Sequence, residues 1–137
     1  MKILILCTGN SCRSQMAEAF MQKALPQAEI YSAGTDPAPE IHPFTLKVMR
    51  EAGFDLSGKK PKNVDQFLRQ TFDYVVTVCD EAKESCPVFT GNVKQRLHFG
   101  FEDPAKATGT DEEVLRKFRE VRDLIRQRFE NWAKNIG

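Results

Sequence analysis

Cys7-Thr8-Gly9-Asn10-Ser11-Cys12-Arg13-Ser14 places two thiols, a glycine, a guanidinium and two hydroxyl-bearing serines within one short stretch. An apolar run precedes it and a helical pattern follows it, so the stretch reads as a strand-to-helix loop. In such a loop successive backbone N–H groups and the helix amino terminus point positive dipole at whatever the loop encloses. Gly9 is expected to permit the turn. Arg13 can grip two oxygens of a tetrahedral anion at once. The same field favours a thiolate, so Cys7 is expected to react as a nucleophile, with Ser14 donating a further hydrogen bond to it. A cysteine six residues before an arginine is a common coincidence; its placement at this junction, with Gly9 and Ser14, is what defines an oxyanion cradle. Thr8, Gly9, Asn10, Ser11, Cys12 and Arg13 are then the anion-binding positions.

Expelling hydroxide or an alkoxide from a tetrahedral centre takes a proton, so an acid should face the nucleophile. Asp103, followed by Pro104, is the candidate, although Asp-Pro is also a common turn pair. Cys79 and Cys86 are two further thiols. Together with Cys12 or His98 they could be zinc ligands, but their spacing is not that of a zinc knuckle and the chain has two histidines, so no metal is expected. Cys12 reads as a small filler of the loop. His42 and His98 read as surface or supporting groups.

The elements that must position these residues alternate strand and helix. Residues 3–6 form a continuous apolar strand of the kind buried on both faces of a parallel sheet. A helix is expected over 14–25, ended by Pro26, then a short strand over 29–32 closed by Ala33-Gly34. A turn-rich stretch at 36–39 leads into a helix over 43–52, with Pro43 in its first turn and Gly53 past its end. A third helix is expected to start at Asn63, with Gln66 reaching back to it. Residues 73–78 have the strongest strand composition, and 96–99 a weaker one. The last helix opens on a Thr110/Glu113 capping box and carries a stripe of Val114, Phe118, Val121, Ile125, Phe129, Trp132 and Ile136. This alternation implies an α/β fold, a single domain over residues 1–137 with a four-stranded parallel sheet flanked by helices. Ligands of such sheets bind beyond the carboxyl ends of the strands, where Cys7, Cys79 and the loop after Phe99 all fall.

Composition narrows the function. With 41% hydrophobic and 28% charged residues over 137 positions, the chain can bury an ordinary core. A formal net charge of +1 does not suit a nucleic-acid binder, and no apolar run approaches the ~20 residues of a membrane helix. The apolar start reads as a strand, not a signal peptide. A reducing cytoplasm is therefore the expected compartment, where such cysteines serve catalysis and not a structural framework. A monomer without cofactor is expected.

Cys-x5-Arg-Ser at the amino terminus resembles the low-molecular-weight protein tyrosine phosphatase fold. The longer string from Cys7 to Glu18, with Tyr31-Ser32-Ala33-Gly34, Val75-Val76-Thr77-Val78-Cys79 and Phe101-Glu102-Asp103-Pro104, is similar to the thioredoxin-coupled arsenate reductase branch of that family. The resemblance covers the whole chain and is weakest between residues 35 and 70. It implies a relay: Cys7 attacks arsenate, Asp103 assists departure of hydroxide, Cys79 attacks Cys7 as arsenite leaves, and Cys86 attacks Cys79. Thioredoxin would then reduce the Cys79–Cys86 disulfide. The segment between those cysteines should change conformation with redox state. A tyrosine phosphatase is the rival enzyme, but such enzymes commonly carry aromatics after Asp-Pro, where this chain has Ala105-Lys106-Ala107. An oxyanion-sensing or zinc-binding module is the non-enzymatic rival. Some members of the reductase branch bind potassium beside the loop. The matching positions here are Asn10, Glu18 and Ser32, while the remaining acidic ligand falls at Lys62, whose ammonium could substitute for the ion.

Overall fold

The computed structural model describes residues 1–137. Four strands, β1 (Lys2–Cys7), β2 (Glu29–Gly34), β3 (Thr71–Thr77) and β4 (Asn92–His98), form one parallel sheet in the order β2-β1-β3-β4. The helices are α1 (Arg13–Ala24), α2 (Pro43–Glu51) and α3 (Asp111–Ile136). β1 is central. The chain passes to β2 on one side of it and to β3 on the other, which leaves a crevice at the carboxyl end of β1, where Cys7 sits.

The alternation of β1 divides the core. Ile3 and Ile5 face a larger cluster with Met16, Phe20 and Met21 of α1 and Phe118, Ile125 and Phe129 of α3. Leu4 and Leu6 face a smaller one with Phe67, Phe72, Val75 and Phe89. All four β1 residues are fully buried, each worth about 1.5–3 kcal/mol of transfer free energy. The α3 stripe follows helical spacing from Phe118 to Phe129, and its Thr110/Glu113 capping box is formed in both directions.

The second face departs from expectation. No α-helix starts at Asn63. Residues Val64–Phe67 make a single 3₁₀ turn, with Asn63 Oδ1 accepting from Asp65 N at 2.8 Å; Gln66 meets Asn63 through its backbone N–H, which donates to Asn63 O at 3.3 Å, and not through its side chain. Phe67 is the one buried side chain of this turn, set against Phe72 and Tyr31, while Val64 and Leu68 pack partly exposed beside it. The sheet is thus covered by three α-helices on one face and by turns and loop on the other.

His42 caps α2: its Nδ1 accepts from Phe44 N at 3.0 Å, and its ring packs 4.8 Å from that of Phe118. An accepting Nδ1 needs the unprotonated nitrogen. Burial lowers the His42 pKa, with the Asp103 charge opposing it, from an ordinary value of 6.5. The unfolded chain therefore takes up this proton first on acidification. Its contribution to stability is complete above pH 6.5 and is lost as the pH falls below that value. Denaturant midpoints measured from neutrality into the acid range should show this loss in the native chain. In His42→Asn, which keeps a cap acceptor and does not titrate, that component should be absent.

Candidate functional site

The loop between β1 and α1 is shaped by outward hydrogen bonds. The carbonyls of Thr8, Gly9 and Ser11 accept from the N–H groups of Asp36, Ala38 and His42 at 3.0, 2.9 and 3.2 Å. Because the C=O of one residue and the N–H of the next point oppositely across a planar peptide, the N–H groups of Gly9, Asn10 and Cys12 are turned inward. Asn10 N donates to Cys7 Sγ at 3.2 Å. Cys12 precedes α1 without a side-chain cap, so the first N–H groups of the helix also lack a capping acceptor. The turn-rich stretch after β2 thus holds the cradle open.

The left-handed residue of the loop is Asn10, at φ 51°, and not Gly9. Asparagine tolerates this conformation, and here its amide is fully used. Oδ1 accepts from Lys62 N (2.9 Å) and Gln15 Nε2 (3.0 Å), while Nδ2 donates to Ser14 Oγ (2.8 Å) and Ser32 Oγ (3.0 Å). With its oxygen accepting from Asn10, the Ser14 hydroxyl can give its proton to Cys7 Sγ, 2.9 Å away. Ser32 donates onward to Glu18 Oε1 at 2.8 Å. One polar chain therefore runs from buried Glu18 to the nucleophile. Gly34 lets β2 end against it: a Cβ there would overlap the Thr8 carbonyl oxygen and press on Asn10 N.

Cys7 is 2% exposed, at the base of a cavity of about 320 Å³ that residues 7–13 share with Glu84, Ser85, Asp103 and Lys106. Asp103 reaches it from the loop after β4. Its Oδ1 accepts from Ala105 N at 3.0 Å and its Oδ2 lies 3.6 Å from Arg13 Nη2. Cys12 is 4% exposed, its thiol pushed up to about 11 chiefly by burial, so it is a neutral packing group.

Arg13 holds no free fork. Its two terminal nitrogens donate to the Glu84 carboxylate at 2.7 and 3.0 Å, and one also to Phe101 O at 3.0 Å. Burial works to raise the Glu84 pKa, but the hydrogen bond and charge of Arg13 outweigh it and hold the carboxyl below its usual range. Nothing in the sequence singles out Glu84, an acid in a polar loop 71 residues from Arg13.

Cys79 and Cys86 are joined in a disulfide with their Cα atoms 5.7 Å apart. A helix would set residues of this spacing about 10.5 Å apart. The residues between them form turns. His98 adds a ring nitrogen that lies with the two sulfurs in a group spanning at most 4.8 Å. While the sulfurs are bonded to each other neither is a thiolate, so this group offers zinc no anionic ligand. Neither Cys12 nor His42 joins it.

The residues that match the potassium positions already have protein partners. Lys62 Nζ and Lys59 Nζ lie 3.8 and 3.6 Å from the Glu18 carboxylate, and the Asn10 oxygen already accepts two N–H groups.

A thiol under a ring of amides at the switch point of a parallel sheet, with an arginine and an aspartate above it, defines a phosphatase-like oxyanion enzyme. A family model described as low molecular weight phosphotyrosine protein phosphatase matches residues 2–137, and the chain belongs to that family. It is 48% identical over 133 residues to an arsenate reductase of Halalkalibacterium halodurans, covering 96% of this chain and 94% of that one. A solved structure of an arsenate reductase in the phosphate binding state matches with a TM-score of 0.81 at 29% identity, over 99% of this chain and 98% of that one. A thioredoxin-dependent arsenate reductase of Corynebacterium glutamicum matches with a TM-score of 0.65 at 27% identity, over 98% of this chain and 60% of that one.

Proposed function

We propose that this chain reduces arsenate to arsenite through a Cys7–Cys79–Cys86 thiol relay. The observation that carries it is the Cys79–Cys86 disulfide at the same sheet edge as Cys7, which a phosphatase has no need of. Register brings the two thiols to one edge. Leu6 pairs with Thr77 and Val78 N donates to Leu6 O at 3.0 Å, so Cys79 leaves β3 one residue beyond the level at which Cys7 leaves β1.

In the first step Cys7 Sγ displaces one arsenate oxygen as hydroxide, which Asp103 protonates, while the inward amides and Arg13 hold the other oxygens. Cys79 then attacks Cys7 Sγ. A disulfide forms between them and the electron pair of the sulfur–arsenic bond passes to arsenic, which leaves as arsenite. Cys86 attacks Cys79, returning Cys7 as a thiolate beneath Asn10 N–H and the Ser14 hydroxyl. The likeness to a thioredoxin-dependent reductase supports thioredoxin as the dithiol that reopens the bridge, and with it a cytoplasmic setting. No helix of the chain is long and apolar enough to cross a membrane. The test is a coupled assay. Arsenate should drive NADPH oxidation in the presence of thioredoxin and thioredoxin reductase, and no oxidation above the arsenate-free rate would refute the reading.

Lys62 supplies the positive charge beside the loop in place of potassium. Its backbone fixes Asn10 and its ammonium neutralises Glu18, a partly exposed pair worth about 1 kcal/mol or less. Activity and melting temperature should be indifferent to exchanging sodium for potassium at fixed ionic strength. Lys62→Ala should lower the melting temperature, and Lys62→Asp should create a potassium-dependent rise. Clear potassium activation of the unmodified protein would defeat this assignment.

A further inference from the structure

An imidazole stands beside the redox bridge. β4 ends at His98, which pairs in register with Thr77, two residues before Cys79. A ring nitrogen of His98 and the sulfurs of Cys79 and Cys86 all lie within 4.8 Å of one another. Two partners from other elements orient the ring. Nδ1 is 2.8 Å from Thr77 Oγ1, and Nε2 is 3.6 Å from Oε1 of Glu81, which belongs to the bridged segment itself. Gly100 leaves the room: a Cβ there would come to 2.9 Å from His98 Nε2 and 3.2 Å from the Cys79 carbonyl oxygen. The side chain is 32% exposed, so its proton can exchange with water. An open groove of about 530 Å³ runs from His98 and Gly100 to Leu124 and Arg128 of α3, a route by which a second molecule can approach.

Thiol–disulfide exchange consumes a thiolate and releases one, so the Cys86 proton needs an acceptor before the bridge can close. We propose that His98 is the proton-transfer residue of the Cys79–Cys86 pair, a reading that rests on the relay proposed above. On closing, Nε2 takes the proton from the Cys86 thiol. The Cys86 thiolate attacks Cys79 Sγ, the Cys79–Cys86 bond forms, the Cys7–Cys79 bond breaks, and its electron pair goes to Cys7 Sγ. On opening, a thiolate of an external dithiol attacks one bridge sulfur, and the displaced sulfur takes the electron pair and then the proton from His98. The second thiol of the dithiol completes the two-electron reduction by closing its own disulfide. The charged groups around the ring are Glu81, which can hold the protonated imidazole, and Arg128 farther along the groove.

The test uses the oxidised full-length protein and dithiothreitol, with the bridge followed by rapid alkylation and mass spectrometry in the presence of a chelator. His98→Ala and His98→Gln should each open about 10²-fold more slowly, the lower end of what general acid catalysis supplies. Glutamine can still hydrogen-bond Thr77, which keeps a purely structural loss apart. Free imidazole should restore the rate of His98→Ala in proportion to its concentration, and a supporting contact would show no such rescue. Unchanged rates in both variants, or a slow His98→Ala indifferent to imidazole, would overturn the proposal. Because arsenate takes no part in this assay, a chain that fails the coupled arsenate assay but keeps its His98 dependence would refute the relay's substrate and leave the proton-transfer role standing.

Discussion

Replacing Cys7 by serine should abolish arsenate-dependent chemistry completely, while replacing Cys86 by serine should leave one turnover. A serine hydroxyl does not ionise near neutrality, so the inward amides and Ser14 would have no anionic nucleophile to stabilise. No other group can stand in: Cys12 is buried, its thiol raised to about 11, and Cys79 has no cradle of its own. Removing Cys86 acts later. Cys7 still attacks and Cys79 still expels arsenite, but the chain stops as a Cys7–Cys79 disulfide. Starting from the fully reduced proteins, non-reducing peptide mapping after a stoichiometric dose of arsenate should find that cross-link in Cys86→Ser and no arsenate-dependent cross-link in Cys7→Ser. Repeated turnover by Cys86→Ser with thioredoxin would rule out the three-cysteine order.

Opening the Cys79–Cys86 bridge should raise the affinity for a tetrahedral oxyanion by about 10–100-fold. In the bridged chain the Glu84 carboxylate takes both Arg13 donors, in the geometry that two substrate oxygens would use. An incoming anion must break that fork and leave Glu84 half-buried beside it, and a hydrogen bond to a charged group contributes roughly 1.5–3 kcal/mol. Glu84 lies between the two bridged cysteines, so its position depends on the bridge. Phosphate is a suitable probe, since it presents the same tetrahedron without oxidising thiols. Calorimetric titration should find weak binding to the oxidised protein, tight binding to the reduced one, and binding near the reduced level in oxidised Glu84→Gln. Equal affinities in the two redox states would exclude a competing role for Glu84. Such a contact would keep arsenate and phosphate off the cradle until the enzyme has been reduced.

Several parts of this molecule are legible without coordinates because they depend on neighbours in the chain. The Cys7–Ser14 loop is local: its strand, its turn and its helix start all lie within a few residues. The α3 stripe and its capping box need only helical spacing, and the apolar β1 run needs only length and composition. The alternation of elements then leads to a parallel sheet and to an active edge at the carboxyl ends of its strands. Asn63 marks the limit of that method. A capping residue states where a helical turn starts but not how long it runs, and here it runs one turn.

What the tertiary structure decided are the contacts between residues far apart in sequence. Arg13 meets Glu84 across 71 positions, Asn10 meets Lys62 across 52, and Thr77 meets His98 across 21. The last is a register pair of β3 and β4, and the other two join loops and a helix start that the fold brings to one edge of the sheet, none of which a list of residues contains. The same is true of the left-handed turn. Either Gly9 or Asn10 could have adopted it, and Asn10 did, because Ser14, Gln15, Ser32 and Lys62 converge to satisfy its amide only in that position. Chemistry that depends on residue type and local spacing was visible in the chain; the partners that orient, occupy and protonate those groups required the fold, because only the fold brings distant backbone to within hydrogen-bond reach.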